Sequence, residues 1–384
     1  MGKLRISIPV PRFLSAGEVF ASAGSLGVLR ALNAAKAAVL LSGSIARNDE
    51  IMAHIRKSVG ALAVAYFVVP AGEPRLENLS ELQREVNAFR PDWLVAIGGG
   101  SVIDSAKLIW IHYEHPDLEL ERLVRPFGIP PLRGKASLVA VPTTSGTGTE
   151  VSSSALFLSH GTSEKQVAVS HDLLPDVVIL DPKLTIGVPK KVMAYCGMDA
   201  LAHALEGYIS RNDNILVDQQ AESVVRTLFS SLEGAREQPT NLELRLTIMS
   251  AALTAGWVQN LKLPGIGHAI AHQLADVGVP HGLAVGRLLV PSLQFNLNSE
   301  KVNRKIEALL SRWDGGTPAS LLERLEGLAT RLGIYDDFQT FAPRLSQNDI
   351  CKRIVTGAQR DICFKANPRD AQVSDLEGLL AEVS

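Results

Sequence analysis

The strongest constraint on the fold is a regular alternation of short apolar runs with amphipathic stretches in the first half of the chain. Five apolar runs are predicted to be buried strands: AAVLLSG (37–43), ALAVAYFVV (61–69), WLVAIGGG (93–100), SLVAVPTT (137–144) and VVILD (177–181). Between two of them, LENLSELQREVNAF (76–89) has the apolar spacing of an amphipathic helix. Strands that alternate with helices predict βαβ units and a mainly parallel sheet.

The sequence pattern changes at Pro182. After this residue the strand-like runs disappear, and helical patterns rich in Ala, Leu and Glu continue to the end of the chain. A chain of 384 residues is also long enough for two domains. We therefore predict an α/β domain over residues 1–181 and an all-helical domain over residues 182–384.

Composition argues against several classes of protein. The formal net charge of −2 argues against nucleic acid as the main partner. The N-terminal MGKLRISIPVPRF lacks the apolar core of a signal peptide, and the apolar stretch around Arg30 and Lys36 is too short and too charged for a membrane span. Cys196, Cys351 and Cys363 are too scattered for a disulfide framework. We expect a cytoplasmic protein without a membrane or nucleic-acid partner.

The stretch WLVAIGGGSVIDSAK (93–107) is predicted to be a strand, a glycine turn and a helix opened by Ser101. Glycines such as Gly99 and Gly100 let the backbone approach a pyrophosphate closely, and a helix N-terminus supplies free N–H groups. The stretch is not a GxGxxG fingerprint, so a tight strand-to-helix turn without a ligand is the alternative.

A second loop follows the next predicted strand, in VPTTSGTGTEVSSSA (141–155). Its hydroxyl groups can donate to phosphate, ribose or a nicotinamide amide; they belong to Thr143, Thr144, Ser145, Thr147 and Thr149. Loops of this composition are common in proteins without a nucleotide. Two such loops, each after a buried strand, favour a dinucleotide site.

The turn after the first strand, LSGSIARND (41–49), bears on the choice of dinucleotide. An acid at the strand end would bind the ribose 2′-OH and select NAD. Gly43 and Ser44 stand there instead, with Arg47 nearby, and an arginine can pair with the 2′-phosphate of NADP. The turn slightly favours NADP over NAD, with a solvent-exposed arginine as the alternative.

The stretch MDALAHALEG (198–207) places Asp199 and His203 one helical turn apart among small apolar residues. Burying two polar groups on one apolar helix face costs free energy unless a partner satisfies them. We infer that Asp199 and His203 share a metal ion.

A second histidine-rich stretch, GIGHAIAHQLADVGVPHG (265–282), contains His268, His272 and His281. With the first pair they form a set of one carboxylate and four imidazoles, which suits Fe²⁺ or Zn²⁺ better than Ca²⁺ or Mg²⁺. Histidines satisfied within the core are the alternative. Three acidic residues near these motifs are expected to be helix-surface or capping groups: Asp104, Glu150 and Glu206.

In order and spacing, the motifs resemble one family, the iron-dependent (group III) alcohol dehydrogenases. The motifs that carry the resemblance are AIGGGSVIDSAK (96–107), VPTTSGTGTEVSSSA (141–155), GMDALAHALEGYIS (197–210), GHAIAHQLADVGVPHG (267–282) and NPRDAQVSDLEGLL (367–380). The resemblance implies an α/β N-terminal nucleotide-binding domain and an all-α C-terminal metal-binding domain, as in dehydroquinate synthase-like enzymes. It also implies an active site in the cleft between them and a homo-oligomer, a dimer or larger.

The resemblance also implies roles for individual residues. The metal ligands fall on Asp199, His203, His268 and His281. His272 matches a non-ligand histidine near the nicotinamide, for which we hypothesise a proton relay, with a packing role as the alternative. The residues that match nucleotide contacts are Gly43, Ser44, Gly99, Gly100, Ser101, Thr143, Thr144, Thr147 and, from a poorly matching segment, Lys165.

The expected activity is hydride transfer between NAD(P)H and a small aldehyde or primary alcohol, acting as an aldehyde reductase, with a metal that polarises the carbonyl. The expected metal is Fe²⁺, with Zn²⁺ possible. Alternatives on the same fold are a zinc-type polyol dehydrogenase, a lyase-like relative and a scaffold without turnover. The segment from His272 to His281 looks one residue shorter than is usual in the family, which would reshape the pocket wall.

Overall fold

The computed structural model describes residues 14–60, 62–158, 165–345 and 347–384. The N-terminal stretch used above to argue against a signal peptide lies outside these ranges, as does the first residue of the second predicted strand. The described strands are β1 (Glu18–Ala21), β2 (Lys36–Ser42), β3 (Ala63–Val69), β4 (Trp93–Gly98), β5 (Ser137–Pro142), β6 (Ser154–Leu158), β7 (Lys165–Val169) and β8 (Val177–Leu180).

Six of these strands form one parallel sheet, in the spatial order β1-β8-β5-β4-β2-β3. The five strands predicted from apolar runs are confirmed as β2, β3, β4, β5 and β8. The sequence pattern did not predict β1, which is a short edge strand, or the antiparallel pair β6 and β7. The sheet is therefore parallel throughout, and the additional hairpin lies outside it.

Helices cover both faces of the sheet. Those of the first half are α1 (Gly43–Ala46), α2 (Asp49–Val59), α3 (Leu76–Phe89), α4 (Gly100–Glu114) and α5 (Leu120–Val124). Along β2, Ala38 and Leu40 are in the apolar cluster that includes α3 and α4 residues, whereas Val39 and Leu41 are in the cluster that includes α2 residues. The sequence of a strand that is buried on both faces is a continuous apolar run, and for this reason these strands were predictable. The predicted helix over 76–89 is confirmed as α3.

The second half of the described chain is helical. Its helices are α6 (Lys190–Ile209), α7 (Ile215–Glu237), α8 (Leu242–Lys262), α9 (Ile266–Gln273), α10 (His281–Leu297), α11 (Glu300–Ser311), α12 (Pro318–Arg331), α13 (Ile334–Gln339), α14 (Ala342–Leu345), α15 (Asn348–Arg360), α16 (Ile362–Ala366) and α17 (Val373–Val383). Short 3₁₀ helices lie at Ser25–Ala31, Thr149–Val151, His171–Leu173, Pro182–Thr185 and Leu274–Val277.

The predicted fold class, an α/β unit followed by an all-helical unit, is confirmed. Strand β8 ends at Leu180 and α6 begins at Lys190, and the division at residue 182 itself stays a prediction. Of the helices formed by the described residues, none is both long and apolar enough to cross a membrane.

The loop after β5 joins the two units by close backbone contact. A Cβ atom added to Gly146 would lie 2.8 Å from the Cα of Cys196 on α6. A Cβ added to Gly148, whose φ is +61°, would lie 2.3 Å from the Cα of Gly256 on α8. Only glycine lets the backbones approach this closely. The carboxyl edge of the sheet is thereby held against α8 and against α6, the helix that carries Asp199 and His203.

Candidate functional site

The two predicted nucleotide loops lie side by side at the carboxyl ends of β4 and β5. These strands are neighbours, with Gly98 opposite Pro142. A Cβ atom on Gly99 would lie 3.3 Å from the Thr144 hydroxyl oxygen, and one on Gly100 would lie 2.8 Å from that of Thr147. The missing side chains therefore let the two loops come into contact.

Helix α4 begins at the glycine turn, one residue earlier than predicted, so that Ser101 is its second residue. Within the described part of the chain, no side chain caps the N-terminus of α4 at Gly99. Backbone N–H groups at such an end are available to an anion, and the helix dipole favours negative charge there. The turn therefore has the properties that a pyrophosphate needs.

The end of β2 lies beside that of β4, because the two strands pair from Ala37 to Leu41. Between them the chain order of the strands reverses, and open α/β sheets bind ligands at such a point. The Arg47 side chain folds back over Gly43, so that a Cβ added there would lie 3.1 Å from Arg47 Nη1. A side chain at position 43 would therefore meet the Arg47 guanidinium.

Lys165 begins β7 and is largely buried, with 13% of its side chain exposed. Its Nζ lies 3.4 Å from Glu73 Oε1. Burial lowers the pKa of His281 well below its ordinary value, and the charge of Lys165 adds to this shift. Lys165 is therefore within electrostatic reach of the second histidine stretch.

The residues predicted to hold a metal converge from three helices. Asp199 and His203 are on α6, His268 is on α9, and His281 is the first residue of α10. The Oδ1 atom of Asp199 lies 3.4 Å from His268 Nε2 and 3.5 Å from His281 Nε2. Donor atoms bound about 2.1 Å from one ion are ~3–4 Å apart. The geometry therefore fits one shared ion.

His203 lies at the margin of this group. Its Nε2 is 3.8 Å from Asp199 Oδ1, and its ring stacks on that of His268 with centroids 4.5 Å apart. The compact set, in which all ligand atoms lie within 4.8 Å of one another, consists of Asp199, His268 and His281. Asp199 Oδ1 and His268 Nε2 are buried and have no hydrogen-bond partner among the described residues. Burying polar atoms without a partner costs free energy unless a ligand binds them.

Charge in the cluster also suits a cation. Burial favours the neutral form of Asp199, but His203, His281 and His268 outweigh it and hold the pKa of Asp199 below its ordinary value. Burial lowers the pKa of His203 to about 4, so its imidazole is neutral at pH 7. The cluster therefore offers a carboxylate and, at His203 and His281, neutral imidazole nitrogens, which are the donors that Fe²⁺ and Zn²⁺ accept.

Glu206 supports this cluster. Of the two expected roles, helix surface or cap, the surface role is wrong because Glu206 is buried. Its carboxylate is buried and lies 2.5 Å from His268 Nδ1. It also accepts the backbone N–H groups of Gly265 and Gly267, at 3.2 and 2.9 Å. Burial opposes a charged imidazole, yet the Glu206 and Asp199 carboxylates raise the pKa of His268 to about 9. Glu206 thus orients the His268 ring with Nε2 toward Asp199.

His272 borders the cluster without belonging to its compact set. Its ring stacks on His281 with centroids 5.3 Å apart, and its Nδ1 lies 2.8 Å from Asp361 Oδ2. The backbone N–H of Cys363 donates to the other Asp361 oxygen at 2.8 Å. One cysteine lies in a second group of possible ligands, which consists of His272, Asp361 and Cys363.

Asp104 and Glu150 are also not surface groups. Asp104 is 7% exposed and Glu150 is 3% exposed. Both lie near the ammonium of Lys107, which is fully buried on α4. Asp104 is buried because the loop from Thr149 to Ser154 covers this face of α4, and Glu150 is buried as part of that loop.

Comparison with known proteins shows which family the chain belongs to. The chain matches the family model described as iron-containing alcohol dehydrogenase over residues 17–182, and that of the Fe-containing alcohol dehydrogenase family, C-terminal, over residues 193–383. The chain belongs to the iron-containing alcohol dehydrogenases. The predicted family resemblance is therefore confirmed.

Three similar proteins illustrate the match. The NADPH-dependent butanol dehydrogenase of Clostridium saccharobutylicum is 29% identical over 380 residues, which are 95% of this chain and 96% of that protein. The probable alcohol dehydrogenase EutG of Escherichia coli K12 is 31% identical, over 84% of this chain and 81% of its own length. The iron-containing alcohol dehydrogenase from Thermococcus thioreducens superposes with a TM-score of 0.88 at 26% identity, covering 97% of this chain and 99% of its own.

Several buried polar residues of this iron-containing alcohol dehydrogenase were missed from sequence. Glu206 had a usable signal, because it follows Asp199 by seven residues and His203 by three, and so lies on the same helix face. Asp361 had no such signal in the sequence, because 89 residues separate it from its partner His272. Lys107 was part of a quoted motif, but nothing local shows that its charge is buried.

Proposed function

We propose that this iron-containing alcohol dehydrogenase transfers a hydride between NAD(P)H and a small aldehyde or primary alcohol, and that it works as an aldehyde reductase. The observation that carries the proposal is the convergence of Asp199, His268 and His281 beside the glycine and threonine loops. Reduction is the proposed direction because the aldehyde–alcohol equilibrium favours the alcohol near neutral pH.

Asp199, His203, His268 and His281 would hold Fe²⁺, or Zn²⁺ as the alternative. When bound, the ion supplies Lewis acidity toward the carbonyl oxygen. The protein's part is to hold the ligands, and Glu206 does this for His268 through the hydrogen bond to Nδ1.

The loops and His272 complete the proposed machinery. Gly99, Gly100 and Ser101 would bind the pyrophosphate, and the hydroxyls after β5 would orient the ribose and nicotinamide, with Lys165 near the ribose. Asp361 accepts from Nδ1 of His272, which leaves Nε2 to exchange a proton with the product alkoxide.

We further propose NADPH as the preferred cofactor, with NADH as the weaker one. Arg47 lies over Gly43 at the end of β2, with Ser44 beside it, and a guanidinium there can pair with a 2′-phosphate. The similar butanol dehydrogenase of Clostridium saccharobutylicum is named as NADPH-dependent, which supports the same choice.

The test is a turnover assay with anaerobically purified protein, reconstituted with Fe²⁺ or Zn²⁺. NADPH and NADH oxidation would be followed with propanal, butanal, glycolaldehyde, succinic semialdehyde and phosphonoacetaldehyde, which separates neutral from acidic substrates. We expect metal-dependent turnover that His268→Ala abolishes and that His115→Ala, far from the cluster, leaves intact. No turnover with either metal, in protein that binds NADPH, would contradict the proposal and favour a lyase-like or scaffold role.

The cellular setting stays a prediction. We expect a cytoplasmic homo-oligomer, a dimer or larger. The three cysteines are free thiols, as a reducing compartment favours. Light scattering of the purified protein would test the oligomeric state.

A further inference from the structure

A fully buried ammonium binds the loop that follows β5. Lys107 lies on the second turn of α4, and its Nζ donates to the carbonyl oxygens of Thr149, Ser152 and Ser154, at 2.7, 2.8 and 2.8 Å. It also donates to the Ser152 hydroxyl at 3.1 Å. Three carbonyls of one short segment thus point at a single cation, which uses all of its N–H donors on this loop.

Asp104 binds the same segment from one helical turn earlier on α4. Its Oδ1 accepts the hydroxyl of Thr149 at 2.6 Å. Thr149 is therefore held twice, through its hydroxyl by Asp104 and through its carbonyl by Lys107. The opposite charges of Asp104 and Lys107 also compensate each other in a buried place.

Helix α8 holds the other side of the loop. Gln259 Nε2 donates to the Thr147 carbonyl at 3.2 Å. The side-chain oxygen of Asn260 accepts both the N–H and the hydroxyl of Ser153, at 2.9 and 2.8 Å. The segment from residue 147 to residue 154 is thus fixed between α4 of the sheet unit and α8 of the helical unit.

A buried ion pair is not required for a helix to pack stably against a loop. Well-packed apolar residues often replace a buried ion pair with no loss of stability. What the charged pair adds is a defined position, since hydrogen bonds are directional and apolar contacts are not. The residues positioned here are continuous with Thr143, Thr144 and Thr147, and α4 itself begins at the glycine turn.

We propose that Asp104 and Lys107 are positioning residues, which hold the loop of residues 143–154 in register with Gly99 and Gly100. Helix α4 would then position both loops of the nucleotide site, the glycine turn and the loop of residues 143–154. It would thereby fix the nicotinamide relative to the histidine cluster. This inference rests on the proposed nucleotide site. It predicts that loosening the anchor weakens nucleotide binding without disturbing the metal ligands.

The test uses Thr149→Val, which removes the hydroxyl that Asp104 accepts, and Thr149→Ser, which restores it. Thr185→Val is the matched control, because Thr185 is also buried and, among the described residues, its hydroxyl donates to the nearby carbonyl of Pro182. NADPH affinity would be measured by nucleotide fluorescence on each full-length protein. Hydrogen exchange of residues 143–154 and bound iron per chain would be measured in parallel. Lys107→Met and Asp104→Asn would follow where they fold.

For Thr149→Val we expect about tenfold weaker NADPH binding and faster exchange in the loop, with unchanged iron content, because misplaced binding groups cost affinity. Thr149→Ser and Thr185→Val should resemble the parent protein. Unchanged NADPH affinity in Thr149→Val, in a parent that binds NADPH, would overturn the positioning role and leave the nucleotide site standing. A parent protein that binds neither NADPH nor NADH would overturn both.

Discussion

Glu206 accepts a hydrogen bond from Nδ1 of His268, and this fixes which nitrogen of that ring faces Asp199. Both residues are buried, and the Glu206 carboxylate also accepts two backbone N–H groups at the start of α9. A carboxylate behind a ligating histidine holds its ring orientation and raises its basicity. Glu206 is therefore expected to matter for metal affinity without binding the metal.

Glu206→Gln should weaken metal binding about 10- to 100-fold while the fold is kept. The backbone N–H groups of Gly265 and Gly267 donate to different oxygens of Glu206, so the single amide oxygen can keep only one of these two bonds, and the negative charge opposite His268 is lost. Retained iron would be measured after dialysis against graded chelator concentrations. The control is Glu114→Gln, a buried carboxylate that also accepts backbone N–H groups, far from the site. Equal iron retention in both variants would count against a supporting role for Glu206.

His281→Ala and His272→Ala should separate a metal ligand from a catalytic neighbour. His281 Nε2 is 3.5 Å from Asp199 Oδ1, so its removal should abolish stoichiometric iron binding. His272 binds Asp361, and its removal should keep the iron but lower kcat about 10²-fold, the usual size of a general acid effect. Iron content and kcat on butanal would be measured for both. Loss of iron in His272→Ala would show that it is a ligand after all.

Arg47→Ala should raise the KM for NADPH about tenfold and leave that for NADH unchanged, because only NADPH carries the 2′-phosphate that a guanidinium pairs with. Arg56→Ala, an exposed arginine on α2, changes net charge equally and serves as the control. KM values for both nucleotides would be measured at one ionic strength. Parallel changes for NADH and NADPH would indicate a general electrostatic effect rather than recognition of the 2′-phosphate.

Glu150→Gln should stabilise the protein in a pH-dependent way. Burial raises the pKa of Glu150 to about 7, so folding favours its protonated form. Its ionisation therefore destabilises the fold as pH rises from the unfolded value of about 4.5 to about 7, and the full cost remains above that.

The glutamine variant avoids this cost. Urea unfolding should show equal stability of the two proteins near pH 4, and a gain of about 1–3 kcal/mol for the variant at pH 8. A gain that is the same at both pH values would mean that ionisation of Glu150 is not its source.

The central strands were predictable because strands buried on both faces are continuous apolar runs between glycine turns. Strands β6 and β7 were missed because their pairing, from Ser154 opposite Val169 to Leu158 opposite Lys165, depends on a contact that no local periodicity encodes. The acidic residues expected at the surface were misjudged for the same reason. Their burial depends on elements that cover them, such as the loop after Thr149 over Asp104.

The sequence by itself determined five strands of the parallel sheet, the helical second half, the family, and the chemical types gathered in the two histidine stretches. These features are local, since apolar periodicity and side-chain spacing act within one element. Only the tertiary structure decided that Glu206 supports His268, that Asp361 binds His272 and that Lys107 holds the loop after β5. Each of these contacts joins elements that are distant along the chain, and packing of the whole molecule is what brings them within hydrogen-bonding distance.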